Sequence, residues 1–249
     1  MAGRMAASET DVFKVIGILN NQPDVLTAIV KSRLPDDPRT KGHLGDLYIM
    51  DVDTDGHWVR LALRPPPTRE EVEVKIPFDP PVKTGWDVRP RLFAWRAEAR
   101  RKYNIPEHPT VDYFKRPPMF PFTLPLGGSL LVLLVLFFGE GKSQLIDDAR
   151  QWIGERAGFS TITICTWFAA FMHLLAEPAL MIWMTGRHRV PLGPRLKWLA
   201  WNVAIGWGAI DEFFECTLYE KVRHVYKQTD VGDIGPNVKD AVSKEKKTQ

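Results

Sequence analysis

Apolar residues follow two regimes along this chain. Up to about residue 104 they recur at helical or alternating spacing, and beyond it they cluster into long uncharged runs. Asp11–Gln22 carries Val12, Val15, Ile16 and Leu19 at helical spacing, with Ser8 or Thr10 as an N-cap, which predicts an amphipathic helix after a disordered stretch at 1–10. Pro23 suits the first turn of a second helix through Val25, Leu26, Ile29 and Val30. The period then shortens. Leu47–Val52 and Trp58–Leu63 alternate or nearly so around Asp53-Thr-Asp-Gly56, the pattern of a hairpin, and Glu71–Phe78 supplies a third strand. Val88–Tyr103 returns to helical spacing, with Val88, Leu92, Trp95 and Ala99 on one face. The order helix, helix, three-strand meander, helix predicts an α+β domain over 11–104.

The second regime needs a different solvent. A proline-rich linker is expected at 105–118, then a membrane domain at 119–226 and a lysine-rich disordered tail at 227–249. Met119–Phe138 is free of charge for about 20 residues, enough to cross a bilayer core as a helix. Residues 160–184 form a second span, interrupted by His173 and Glu177 and kinked at Pro178. A third run, 198–214, spans only if Asp211 and Glu212 are sheltered inside a bundle. Between the first two spans, residues 139–159 are polar with apolar residues at helical spacing, which suits a helix lying in the interface. The fold expected is thus an α+β soluble domain followed by an α-helical transmembrane region with two spans and, if those carboxylates are sheltered, a third.

Composition changes little of this. The mean hydropathy of −0.19 averages two unlike halves. A net charge of +3 gives no ground for nucleic-acid binding. The two cysteines, Cys165 and Cys216, both fall in the apolar half, where packing is the expected role. The first residues lack the apolar run of a signal peptide, so 1–115 are expected in the cytosol. Lys115 and Arg116 before the first span, and Arg187, Arg189, Arg195 and Lys197 after the second, put those two loops on that same side. Lys246 and Lys247 fit a dilysine retrieval signal for the endoplasmic reticulum. That signal acts only in the cytosol and is incompatible with three full spans.

Candidate chemistry is sparse. His173 and Glu177 lie four apart on one helix face inside a span, where ionisable groups are costly and face an interior. With Asp211 and Glu212 (and Glu215 nearby) they could form a buried acid–base cluster. The competing reading is a structural pair holding helices together. Asp51–Gly56 matches half of a calcium loop, but Ala62 stands where the bidentate Glu belongs, so a turn is the better reading. Arg89, Arg96, Arg100, Arg101 and Lys102 form a basic helix surface that could dock on anionic headgroups.

The meander followed by Ile76-Pro-Phe-Asp-Pro-Pro-Val-Lys-Thr-Gly-Trp-Asp-Val-Arg-Pro-Arg-Leu92 resembles a family. It is similar to the domain of unknown function at the C-terminus of haem-utilisation proteins of the FMN-binding split-barrel type, in the fungal form fused to transmembrane segments. The resemblance covers roughly 11–104. Where that family carries a His-Met-Asn-x-Asp-His motif, this chain reads Gly17–Asp24, keeping Asn20 and Asp24 but neither histidine.

Three functions follow. The preferred one is an integral membrane protein whose cytosolic α+β module binds a partner protein or small ligand without catalysis and without a cofactor. The second is an intramembrane acid–base enzyme of lipid or sterol metabolism using His173 and Glu177. The third, which the resemblance implies, is haem or tetrapyrrole binding. The bilayer is the expected partner in all three.

Overall fold

The computed structural model describes residues 2–53, 55–117 and 123–236. It divides into two units, Met1–Pro109 with Leu218–Gln249, and Thr110–Thr217. The first unit is therefore discontinuous in sequence.

In the first unit α1 (Ala2–Asn20) and α2 (Pro23–Arg33) precede a three-stranded antiparallel sheet. Its strands β1 (Asp46–Val52), β2 (Trp58–Arg64) and β3 (Val72–Pro77) lie in the order β1-β2-β3, and α3 (Gly85–Lys102) follows. The meander and its flanking helices match the α+β expectation. Helix α1 begins at Ala2, before the Asp11 that the periodicity marks, so residues 2–10 are helical and not a disordered stretch.

The sheet turns one face inward, placing Leu47, Ile49, Val59, Leu61, Leu63, Val74 and Ile76 in the core. A bulge between Ile49 and Asp51 adds one residue to β1. Because side chains alternate with period two, that extra residue shifts the phase and lets Val52 face inward as well. Edge strand β1 is closed by a side chain: the Asn20 amide donates to Ile49 O (3.1 Å) and its oxygen accepts from Ile49 N (2.7 Å). The two bonds imitate a neighbouring strand. The β1–β2 turn is an ordinary one, with Gly56 N donating to Asp53 O and His57 N to the Asp53 carboxylate. Helix α3 starts in a reciprocal cap, Thr84 with Asp87, and buries the expected Val88, Leu92, Trp95 and Ala99.

The second unit is helical. Its elements are α4 (Thr123–Phe138), α5 (Gln144–Ala157), α6 (Thr161–Phe171), a π-turn (Met172–Ala176), α7 (Glu177–Arg187), α8 (Leu192–Ile205) and the start of α9 (Trp207–Lys227). Among the described residues one helix, Thr161–Arg187, is long and apolar enough to cross a membrane. It has 27 residues, and only 11% of its most apolar window is buried in the fold. A soluble core helix would show the opposite. Helix α4 has 16 residues, a rise of about 24 Å against the roughly 30 Å of a bilayer core. The front of that expected span, 118–122, lies outside the described residues.

Three further boundaries move. The run at 198–214 is not one helix. It breaks at Gly206, whose φ of +63° suits a residue without Cβ. Residues 110–117 are not a mere connector, because Val111 is fully buried in the second unit's core with Tyr113 and Phe114 packed against it. Residues 218–226 were expected within the membrane domain, yet Val225 and Tyr226 belong to the α+β core. Nor is the tail disordered from 227. Asp233 accepts from Arg223 at 2.8 Å and lies 3.4 Å from Lys227, while 237–249 lie outside the described residues.

Candidate functional site

Two polar clusters stand out, one in each unit. In the second unit, Pro178 has no N–H for the carbonyl four residues back, and its ring crowds that carbonyl. The chain responds with the π-turn Met172–Ala176 just ahead of it, a widening of the kind found at functional sites. His173 sits in that turn. Its Nδ1 lies 3.0 Å from Glu177 Oε2, and both side chains are largely shielded. The pair faces the break between α8 and α9. A Cβ built on Gly206 would fall 2.6 Å from Glu177 Oε2 and 2.8 Å from His173 Nδ1, so only glycine allows this approach. Asn202 braces the break from inside: its Nδ2 donates to Gly206 O at 3.1 Å, and Gly206 N donates to Asn202 O at 2.7 Å. Asn202 Oδ1 is buried without a hydrogen-bond partner. Glu177 Oε2 also lacks a properly aligned one despite the nearby imidazole.

The expected four-residue acid–base cluster is not assembled. Glu212 turns inward and pairs with Lys115. Its neighbour Asp211 is exposed, as is Glu215. Adjacent helix residues point about 100° apart, so consecutive carboxylates could not share one pocket. Glu212 is thus spoken for by a base on the segment before α4, and His173–Glu177 stands alone against Gly206.

The basic surface of α3 is likewise divided. Arg89 lies 3.7 Å from Asp11, and Arg96 donates to Gln22 Oε1 at 2.8 Å, so both tie α3 to the first helices. Lys102 reaches Ser32 Oγ at 3.3 Å, and Arg101 returns to Ala97 O. Arg100, Arg101 and Lys102 are exposed. Lys246 and Lys247 lie outside the described residues.

The first unit's cluster was not foreseen. Tyr226, fully buried, accepts a hydrogen bond from Leu44 N at 2.8 Å and is bonded to the Thr27 side chain. Burial pushes its phenol up to about 12. His43 stacks on its ring, with centroids 4.8 Å apart. Lys31 is only 7% exposed and donates to Thr40 O (2.8 Å) and Gly42 O (2.9 Å), with Asp230 3.6 Å away. Burial lowers the Lys31 pKa against the opposing pull of Asp230. His43 is lowered as well, first by burial and then by the charge of Lys31, with Asp46 pulling the other way. His43 Nδ1 accepts from Gly45 N, which leaves the proton on Nε2, a buried donor without a partner. Val222, Val225 and Tyr226 fall at helical spacing and were the available signal. Their partners are too remote in sequence for any local pattern to reveal them.

Among the described residues no group of three or more His, Cys, Asp or Glu is placed to hold a metal ion. No family model, no characterised protein and no solved structure matches the chain.

Proposed function

We propose that the protein is a membrane-anchored binding module: an α+β unit that engages a partner, held to a bilayer by the helical unit, with no catalytic step of its own. The observation that carries this reading is the outward face of Thr161–Arg187. Ile164, Trp167, Phe168, Leu174, Leu175 and Trp183 are all more than half exposed. Contiguous apolar surface on that scale is rare on soluble monomers, and hydrocarbon is the solvent that suits it. Leu131, Val132 and Phe138 of α4 are exposed in the same way.

The polar clusters support a non-enzymatic reading. His173 and Glu177 are engaged in a tight approach to backbone, Glu212 is paired, and Lys31 and Tyr226 are enclosed among main-chain partners. Such arrangements hold elements together. The bases Lys115, Arg116, Arg187, Arg189, Arg195 and Lys197 favour a cytosolic position for the loops that bear them. The exposed bases Arg100, Arg101 and Lys102 at the end of α3 favour an acidic partner.

Alkaline carbonate extraction of membranes, followed by flotation, tests the anchor. The protein is expected in the floating membrane fraction and in detergent extracts. Recovery as a monodisperse species in buffer without detergent would overturn the reading.

A further inference from the structure

We infer that the stretch between Pro109 and Leu218 enters and leaves its membrane on the same side. On this inference α4 and Thr161–Arg187 are the two crossings, α5 joins them at the far surface, and α8 with the start of α9 forms a re-entrant elbow. The inference rests on the membrane reading proposed above, and two independent sets of contacts carry it.

The first set lies within the helical unit. Its buried apolar cluster joins Val111, which precedes α4, to Met184 in the last turn of α7 and Val190 just beyond it, and to Trp198 and Phe213. Polar contacts tie the same places together. Trp198 Nε1 donates to Tyr113 O at 3.2 Å, the Phe114 ring meets Trp198 at 4.8 Å, and Lys115 pairs with Glu212. The chain entering α4 and the chain leaving α7 therefore lie at one end of the unit. At the other end Phe137, late in α4, meets Trp167, in the first part of Thr161–Arg187, with centroids 6.4 Å apart. Arg150 of α5 reaches back to Leu136 O and to Glu140. Out along α4, across α5 and back along Thr161–Arg187 makes two crossings.

The elbow adds none. Trp198 and Phe213 lie on opposite sides of the break at Gly206, yet their rings are 5.3 Å apart. An unbroken helix would hold them about 22 Å apart. The 14 residues of α8 rise about 21 Å, and the break at Gly206 then turns the chain back instead of carrying it onward.

The second set lies within the α+β unit and is independent of the first. Tyr226 bonds Leu44, Lys31 lies beside Asp230, and Gln228 donates to Tyr103 O at 2.8 Å. Residues on both flanks of the helical stretch thus share one water-exposed fold. An odd number of crossings would leave Tyr226 across the bilayer from Leu44, which a folded domain cannot accommodate.

Sealed membrane vesicles carrying the full chain test this, with an epitope tag at the N-terminus, at the C-terminus, or inserted between Gly141 and Lys142 ahead of α5. Added protease should treat the two terminal tags alike, both lost or both kept, and the internal tag in the opposite way. Terminal tags with opposite fates would overturn the inference while leaving the anchor intact. All three tags sharing one fate, with the protein resistant to carbonate, would overturn both crossings but not membrane attachment. All three sharing one fate with the protein released by carbonate would bring down the membrane reading itself.

Discussion

The two units bury apolar side chains by opposite rules. In the α+β unit the sheet and three helices turn Leu, Ile and Val inward from every element, and large exposed apolar residues such as Phe13 and Trp86 are scattered. In the helical unit the buried cluster is confined to one end, while the middle of Thr161–Arg187 shows its Phe, Leu and Trp side chains outward. The same residue types thus mark an inside in one unit and an outside in the other. On the membrane reading proposed above, what differs is the solvent each surface meets, and that difference can be measured.

The largest effect should come from the C-terminal segment that the α+β core has absorbed. Tyr226→Ala removes a fully buried aromatic and leaves Leu44 N without its acceptor. Truncating a buried aromatic costs about 3–5 kcal/mol, a large share of the roughly 5–15 kcal/mol that holds a domain. Hydrogen exchange on the full chain in detergent should show β1–β3 losing protection while Thr161–Arg187 keeps its own. Unchanged protection in the sheet would mean that residues 218–236 do not complete this core.

A charge placed on each kind of surface sharpens the contrast. Leu174→Lys puts an ammonium near the middle of the apolar helix at a cost to insertion of about 2.5–3.5 kcal/mol. Phe13→Lys, at a similarly exposed site of the α+β unit, should change stability by no more than about 0.5 kcal/mol. The readouts are the membrane-integrated fraction for the first and denaturant unfolding for the second. Equal tolerance of both would mean that the two surfaces face the same solvent.

Glycine offers a smaller version of the same comparison. Gly206→Ala drives a Cβ into His173 and Glu177 at a left-handed φ, and overpacking of this kind costs about 1–3 kcal/mol. Gly127→Ala meets nothing within 4 Å in helix α4 and should stabilise slightly, by up to about 1 kcal/mol. Thermal aggregation of the detergent-solubilised protein, followed for both variants, gives the order.

Local pattern carried the α+β unit's elements far into the sequence reading. Val88, Leu92, Trp95 and Ala99 were legible because a helix repeats its facing every 3.6 residues, and the meander because strands repeat every two. The discontinuity was not legible. Val222, Val225 and Tyr226 follow a run rich in Trp and Phe, and nothing in their spacing says that they join the α+β core or that Tyr226 bonds Thr27 and Leu44. The bulge at Met50 was hidden for a related reason, since one inserted residue looks like imperfect alternation until its partner strand is seen. At the candidate site, spacing alone paired His173 with Glu177. The phase of α9, which turns Glu212 to Lys115 and Asp211 away, depends on where Gly206 breaks the chain.

The smallest effect expected is a pH dependence confined to the α+β unit. The folded protein holds His43 below its ordinary value because burial and Lys31 disfavour the imidazolium. As pH falls through about 6.5 the unfolded chain takes up that proton first, so unfolding is favoured and stability drops. Asp233 acts in the same direction at lower pH. Its hydrogen bonds from Arg223 hold the carboxyl far below the usual carboxylate range, and this contribution is complete above about pH 4 and lost below it. Unfolding of the α+β unit should therefore ease in two steps on acidification, with His43→Gln flattening the upper step and Asp233→Asn the lower. The helical unit should show neither step. A single acid transition shared by both units, unaltered in either variant, would mean that they unfold as one body and that these two side chains do not govern it.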